Sequence, residues 1–137
     1  MALEETEGAE QEEVVEPAER KFQRELNAGL IALVLLSVLD RATEDLYGYQ
    51  IAKQLQAVAP GLNVFKQGAL YPVLRNLSAA GLLASRVVPS YAGPPRRYYR
   101  ITDQGRVVLK HWLTIWEQTR DFVDLFARPA ASSGRHD

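Results

Sequence analysis

The side chains best equipped for chemistry in this sequence are cations and amides at helical spacing, not a nucleophile beside a base. In the stretch from Gln67 to Gly81, Tyr71, Arg75 and Asn76 share one side, and Lys66 and Gln67 stand at its start. Arg and Asn can pair with base edges in a DNA major groove, and the start of a helix attracts phosphate. Further on, Arg96 and Arg97 adjoin Tyr98 and Tyr99, while Lys53 lies on an earlier amphipathic stretch. That is the chemistry of holding a polyanion, not of breaking bonds. The only histidines are His111 and His136, and there is no cysteine. No phosphate-binding glycine loop, metal-ligand spacing or nucleophile–base pair stands out, so neither enzyme, metal site nor cofactor is expected.

The charge distribution points the same way. Residues 1–19 hold eight glutamates and no Lys or Arg, although the chain as a whole carries a formal charge of −1. The other 118 residues hold 16 basic and 9 acidic groups, a net of +7. Between Leu46 and Trp112 nine basic residues face a single acid, Asp103. An acidic leader is attached to a basic domain, and a basic domain favours a polyanionic partner. The leader's low hydrophobicity and high charge predict disorder over residues 1–19.

The elements that must position these residues follow from periodicity. A helix is expected from Arg20 to Leu39, and its all-round apolar run from Leu30 to Leu39 needs cover on several sides. That run of ten residues is too short to span a bilayer. No secretory signal is visible and cysteine is absent, which fits a cytoplasmic protein without membrane contact. Tyr47 to Gln56 reads as a second helix with Ile51 and Leu55 inward. Gly48 near its start implies close approach of another backbone or simply a boundary. Pro60-Gly61 signals a turn, and Leu62 to Phe65 a very short strand. Leu70, Val73, Leu74 and Leu77 then recur on one face of a third helix. It starts near Gly68 or Ala69, which keeps Pro72 in the first turn, and Gly81 supplies its left-handed cap. Taken alone, this third helix fits a DNA reader or an ordinary surface helix equally well.

Leu82 to Val88 and Arg96 to Ile101 read as two strands around the Gly93-Pro94-Pro95 turn, a hairpin with a basic end. Tyr98, Tyr99 and Ile101 are expected to pack it. Thr102 and Asp103 open a long helix that reaches Phe126.

Helix, helix, recognition-type helix, basic hairpin, long helix is the order of a winged helix-turn-helix, a mainly α (α+β) fold with a long C-terminal dimerisation helix. The sequence also resembles the PadR-like transcriptional regulators. The matching pieces are Leu46-Tyr47-Gly48-Tyr49-Gln50-Ile51, Gly68-Ala69-Leu70-Tyr71-Pro72-Val73-Leu74, Leu77 with Gly81-Leu82-Leu83, and Arg96-Arg97-Tyr98-Tyr99-Arg100-Ile101-Thr102 followed by Gly105. The single long C-terminal helix looks like the shorter subfamily. Ser78 departs from the acidic residue often found there, and the glutamate-rich leader lies outside the pattern. The division implied is a disordered acidic tail at 1–19, a winged helix-turn-helix at 20–101, a dimerisation helix at 102–128 and a disordered tail at 129–137.

The resemblance implies a homodimeric repressor that binds a palindromic operator and answers to a small molecule. Arg75 and Asn76 would read bases or phosphates, and Lys53, Lys66 and Gln67 would contact the backbone. Arg96 and Arg97 would enter the minor groove or grip its flanking phosphates. Tyr71 would touch the sugar-phosphate chain or simply pack the helix start. Leu109, Trp112, Trp116, Thr119, Val123 and Phe126 follow the three-four spacing of a helix seam, with Val108, Ile115 and Phe122 as a second stripe. Trp112 and Trp116 share a face. They would bound a slot for a planar aromatic effector or fill the dimer core, and the resemblance puts Trp116 where drug-binding members present a tryptophan. The rival reading is a winged-helix protein-interaction module that never meets DNA.

Overall fold

The computed structural model of the chain describes residues 2–58 and 67–128, with side chains at 13–58 and 68–128. Helix α1 spans Ala2–Arg41, strand β1 Leu46–Tyr47, α2 Gly48–Val58 and α3 Gln67–Ala79. Strands β2 (Leu83–Val88) and β3 (Arg96–Ile101) follow, and α4 (Asp103–Ala127) ends the described chain. The expected Pro60-Gly61 turn, the strand over Leu62 to Phe65 and the tail 129–137 lie outside the described residues.

The helical packing expected from periodicity is present. Leu70 and Leu74 of α3 are fully buried, with Leu77 beside them, against Leu35, Leu36 and Leu39 of α1 and Ile51 of α2. Gly81 has φ 81°. Its N–H donates to the Ser78 carbonyl, and that of Leu82 to the Leu77 carbonyl, each at 3.0 Å. This is the paired C-terminal cap that a left-handed glycine allows. Thr102 joins that cap to the next helix: its hydroxyl donates to the Gly81 carbonyl at 2.8 Å and accepts from the Gly105 N–H at 3.0 Å.

Four features differ from the sequence expectation. The first helix runs back to Ala2 instead of beginning near Arg20. Glutamate is a good helix former and suits the positive end of the helix dipole. Glu16 and Arg20 pair one turn apart at 2.9 Å. Val14, Val15 and Phe22 nevertheless stay exposed. Second, α3 begins at Gln67, so Pro72 sits inside the helix and beyond its first turn. Third, Leu46 and Tyr47 form a strand that pairs with Tyr99 and Tyr98, giving an antiparallel sheet of order β1-β3-β2. Fourth, Leu109 does not belong to a free seam. It is buried in this chain's own core, with Val108 and Trp112 packed beside it.

Residues Glu13–Arg41 of α1 are long and apolar enough, by length and composition alone, to cross a membrane. Here its most apolar stretch supplies Leu35, Leu36 and Leu39 to the core.

Candidate nucleic-acid interface

Burying Leu70, Leu74 and Leu77 on the inner face of α3 leaves Arg75 and Asn76 exposed on the outer one. The hairpin β2–β3 stands beside that face, with Val88 opposite Arg96 and Val87 opposite Arg97. Between helix and hairpin lies an open cleft of about 710 Å³. Among the described residues, Arg75, Arg96 and Arg97 are the only charged ones lining it, over a floor that includes Gly48, Tyr71 and Tyr99. A cleft whose described walls carry three cations and no carboxylate concentrates positive potential and draws in anions.

Strand alternation sends the two hairpin arginines to opposite faces. Arg97 shares the face of buried Tyr99, and its Nη1 donates to Ser85 Oγ at 3.1 Å. Tyr99 registers the arginines nearby: burial raises its phenol pKa, while the charges of Arg97 and Arg75 oppose that rise. Arg96 shares the face of Tyr98, and its guanidinium lies 4.6 Å from the ring centre of Tyr47. Lys53 is exposed on α2, its ammonium 6.0 Å from the ring centre of Tyr49.

The structure thus gathers Tyr71, Arg75, Arg96 and Arg97 about one cleft, with Asn76 and Lys53 exposed on α3 and α2. Lys66 lies outside the described residues, as does the side chain of Gln67. Tyr71 is half-buried: a Cβ on Gly48 would fall 2.8 Å from its Cζ. The close approach expected at Gly48 is therefore made by a side chain rather than a backbone.

Sequence reasoning missed the supporting aromatic set. Tyr47 meets the Tyr98 ring edge-on at 5.3 Å and stacks on Tyr49 at 6.3 Å. Arg86, which carried no expectation, binds Asp45 through Nε at 2.9 Å and lies 5.2 Å from the Tyr98 ring centre. The alternation of tyrosines was the available signal.

Trp112 and Trp116 come together at a second site. With Leu26, Gly29, Leu33 and Ile115 they line a mainly apolar slot of about 520 Å³ between α1 and α4. His111 is exposed on α4.

A family model described as the transcriptional regulator PadR-like family matches residues 35–111, more than half of the chain. The chain belongs to the PadR-like family of transcriptional regulators. As a PadR-like protein it is a regulator and not an enzyme. Among solved structures it is similar to a PadR-family transcriptional regulator from Eggerthella lenta DSM 2243. The two are 30% identical, the match covers 85% of this chain and 98% of that one, and the TM-score is 0.70. A transcriptional regulator from Clostridium thermocellum is 29% identical, with 76% and 96% of the two chains covered and a TM-score of 0.67. Bacillus subtilis PadR, solved in complex with operator DNA, shares the fold at 24% identity and a TM-score of 0.55, over 61% of this chain and 46% of that one. The matched PadR-like segment spans the arginine cleft and ends at His111, so Trp112 and Trp116 lie just beyond it.

Proposed function

We propose that this PadR-like regulator is a ligand-responsive repressor that binds a palindromic DNA operator as a homodimer in the cytoplasm. The observation that carries the DNA reading is the cleft between α3 and the hairpin, where the charged lining residues among those described are Arg75, Arg96 and Arg97, all cations. In this reading α3 enters the major groove, where Arg75 and Asn76 meet base edges. The hairpin is the wing: Arg96 and Arg97 grip phosphates or the minor groove beside them. Lys53, Lys66 and Gln67 add backbone contacts, and Tyr71 lines the cleft while packing on Gly48.

Apolar side chains left open on the two long helices support the homodimer. Ile115, Phe122, Val123 and Phe126 of α4 and Phe22 of α1 are more than half exposed in the single chain. Helices with such uncovered stripes associate through them. The effector reading is supported by the slot beneath Trp112 and Trp116, whose flat rings suit a planar aromatic ligand. A ligand seated there changes DNA affinity only if it favours one arrangement of the dimer over another.

Selection of bound duplexes from a random pool tests the proposal. A single enriched sequence with two-fold symmetry is expected, its half-sites about one turn or roughly 34 Å apart. A pool without enrichment contradicts it. Sedimentation should give a dimer at micromolar concentration, and a monomer would remove the dimer from the account. Phenolic acids or cationic dyes should quench tryptophan fluorescence and shift operator affinity together, and Trp116→Ala should abolish both. A Trp116→Ala variant that still responds would place the effector elsewhere.

A further inference from the structure

The wing carries two arginines over tyrosine rings, and their electrostatic situations differ. On the Tyr98 side, Arg86 lies 5.2 Å from the ring centre and also binds Asp45 at 2.9 Å, so its charge is matched. On the Tyr47 side, Arg96 lies 4.6 Å from the ring centre, and no carboxylate pairs with it among the described residues. An aromatic face attracts a guanidinium through its quadrupole without cancelling the charge or occupying its N–H donors. The Arg96 guanidinium is therefore held in place while its charge stays uncompensated.

The ring that holds it is itself held. Tyr47 is paired with Tyr98 in the β1–β3 ladder, and its N–H donates to Gln50 Oε1 at 3.1 Å. Its ring meets Tyr98 edge-on at 5.3 Å and stacks on Tyr49 at 6.3 Å. Tyr47 and Arg96 both line the cleft between α3 and the wing.

Resting on the DNA-binding reading of that cleft, we propose that Tyr47 is a positioning residue: its ring presents the Arg96 guanidinium to a DNA phosphate. An arginine free in solution must be immobilised when it binds, and prior stacking removes part of that cost. The gain is independent of base sequence, because a phosphate is the target.

Affinity for duplex DNA measured at several salt concentrations tests this with the full chain. Tyr47→Leu should weaken binding roughly three- to tenfold, as expected for one newly mobile arginine. The salt slope should stay unchanged, because Arg96 still reaches its phosphate. Arg96→Ala should instead reduce the slope by about 0.9, the signature of one lost phosphate contact. Tyr47→Phe should behave as the unaltered protein, since the ring and not the hydroxyl does the holding. In an Arg96→Ala background, Tyr47→Leu should add nothing, whereas a folding defect would weaken binding further there. Unchanged affinity in Tyr47→Leu, a Phe variant as weak as the Leu variant, or additive effects of Tyr47→Leu and Arg96→Ala would each overturn the inference while leaving DNA binding intact. An unaltered protein that binds no DNA would remove the proposed function and this inference together.

Discussion

Tyr71 of α3 lies against the backbone of Gly48 at the start of α2: a Cβ at Gly48 would sit 2.8 Å from its Cζ and 2.9 Å from its hydroxyl oxygen. The contact fixes how the exposed helix meets the helix behind it. A methyl group there forces the ring to swing, so Gly48→Ala should cost about 1 kcal/mol, the low end for overpacking. Truncating the ring should relieve it. Denaturant unfolding of Gly48→Ala alone and combined with Tyr71→Ala checks this, and equal losses from Gly48→Ala in both backgrounds would refute the contact.

Gly105 is less forgiving. A Cβ there would strike the Leu82 carbonyl oxygen and lie 2.8 Å from Ile101 Cγ1. Backbone cannot swing aside as a tyrosine ring can, so Gly105→Ala should destabilise by about 1–3 kcal/mol with no single truncation restoring it. Gly29, in the middle of α1, has no neighbour among the described residues within 4 Å of a Cβ. Gly29→Ala should therefore stabilise the helix by up to about 1 kcal/mol, the difference in helix propensity. Thermal unfolding of the two variants in parallel should move their midpoints in opposite directions.

The hydroxyl of Ser78 is buried without a hydrogen-bond partner among the described residues. Removing it takes away a desolvated polar group and places a better helix former in α3, so Ser78→Ala should stabilise by about 1 kcal/mol. A lower unfolding midpoint would mean the hydroxyl is satisfied after all.

The pKa of Tyr99 is raised above its ordinary 10.0, mainly by burial, with Arg97 and Arg75 opposing. An acid whose folded pKa exceeds its unfolded one binds its proton longer in the folded state. Stability from this group is then complete below about pH 10 and is lost as pH climbs from there through the folded value. Tyr99→Phe should flatten the fall in stability above pH 10 seen by denaturant unfolding.

What the sequence made legible was local. The face of α3, its Gly81 cap and the Thr102 cap of α4 depend on residues within a turn or two, and they appear at the expected places. The Leu46–Tyr47 strand was invisible because two residues have no periodicity and become a strand only by pairing with β3, some fifty residues on. The same distance hid the stack of Arg96 on Tyr47. Leu109 continues the stripe of the expected seam between subunits, but an apolar stripe shows that a face is covered, not which chain covers it. The leader's low hydrophobicity and high charge predict disorder, although the glutamates that suppress collapse are also good helix formers.

In the proposed function, the cleft between α3 and the wing binds DNA through Arg75, Arg96 and Arg97. Its most direct test is the salt dependence of duplex binding, followed by fluorescence anisotropy, for the unaltered protein and for each arginine changed to alanine. Tight binding that weakens steeply with salt is expected. Slopes should fall by about 0.9 for Arg96→Ala and for Arg97→Ala, and Arg75→Ala should relax the preference at one base position by about 1–3 kcal/mol. Slopes and sequence ranking identical across all four proteins would show that DNA, if bound at all, is held elsewhere.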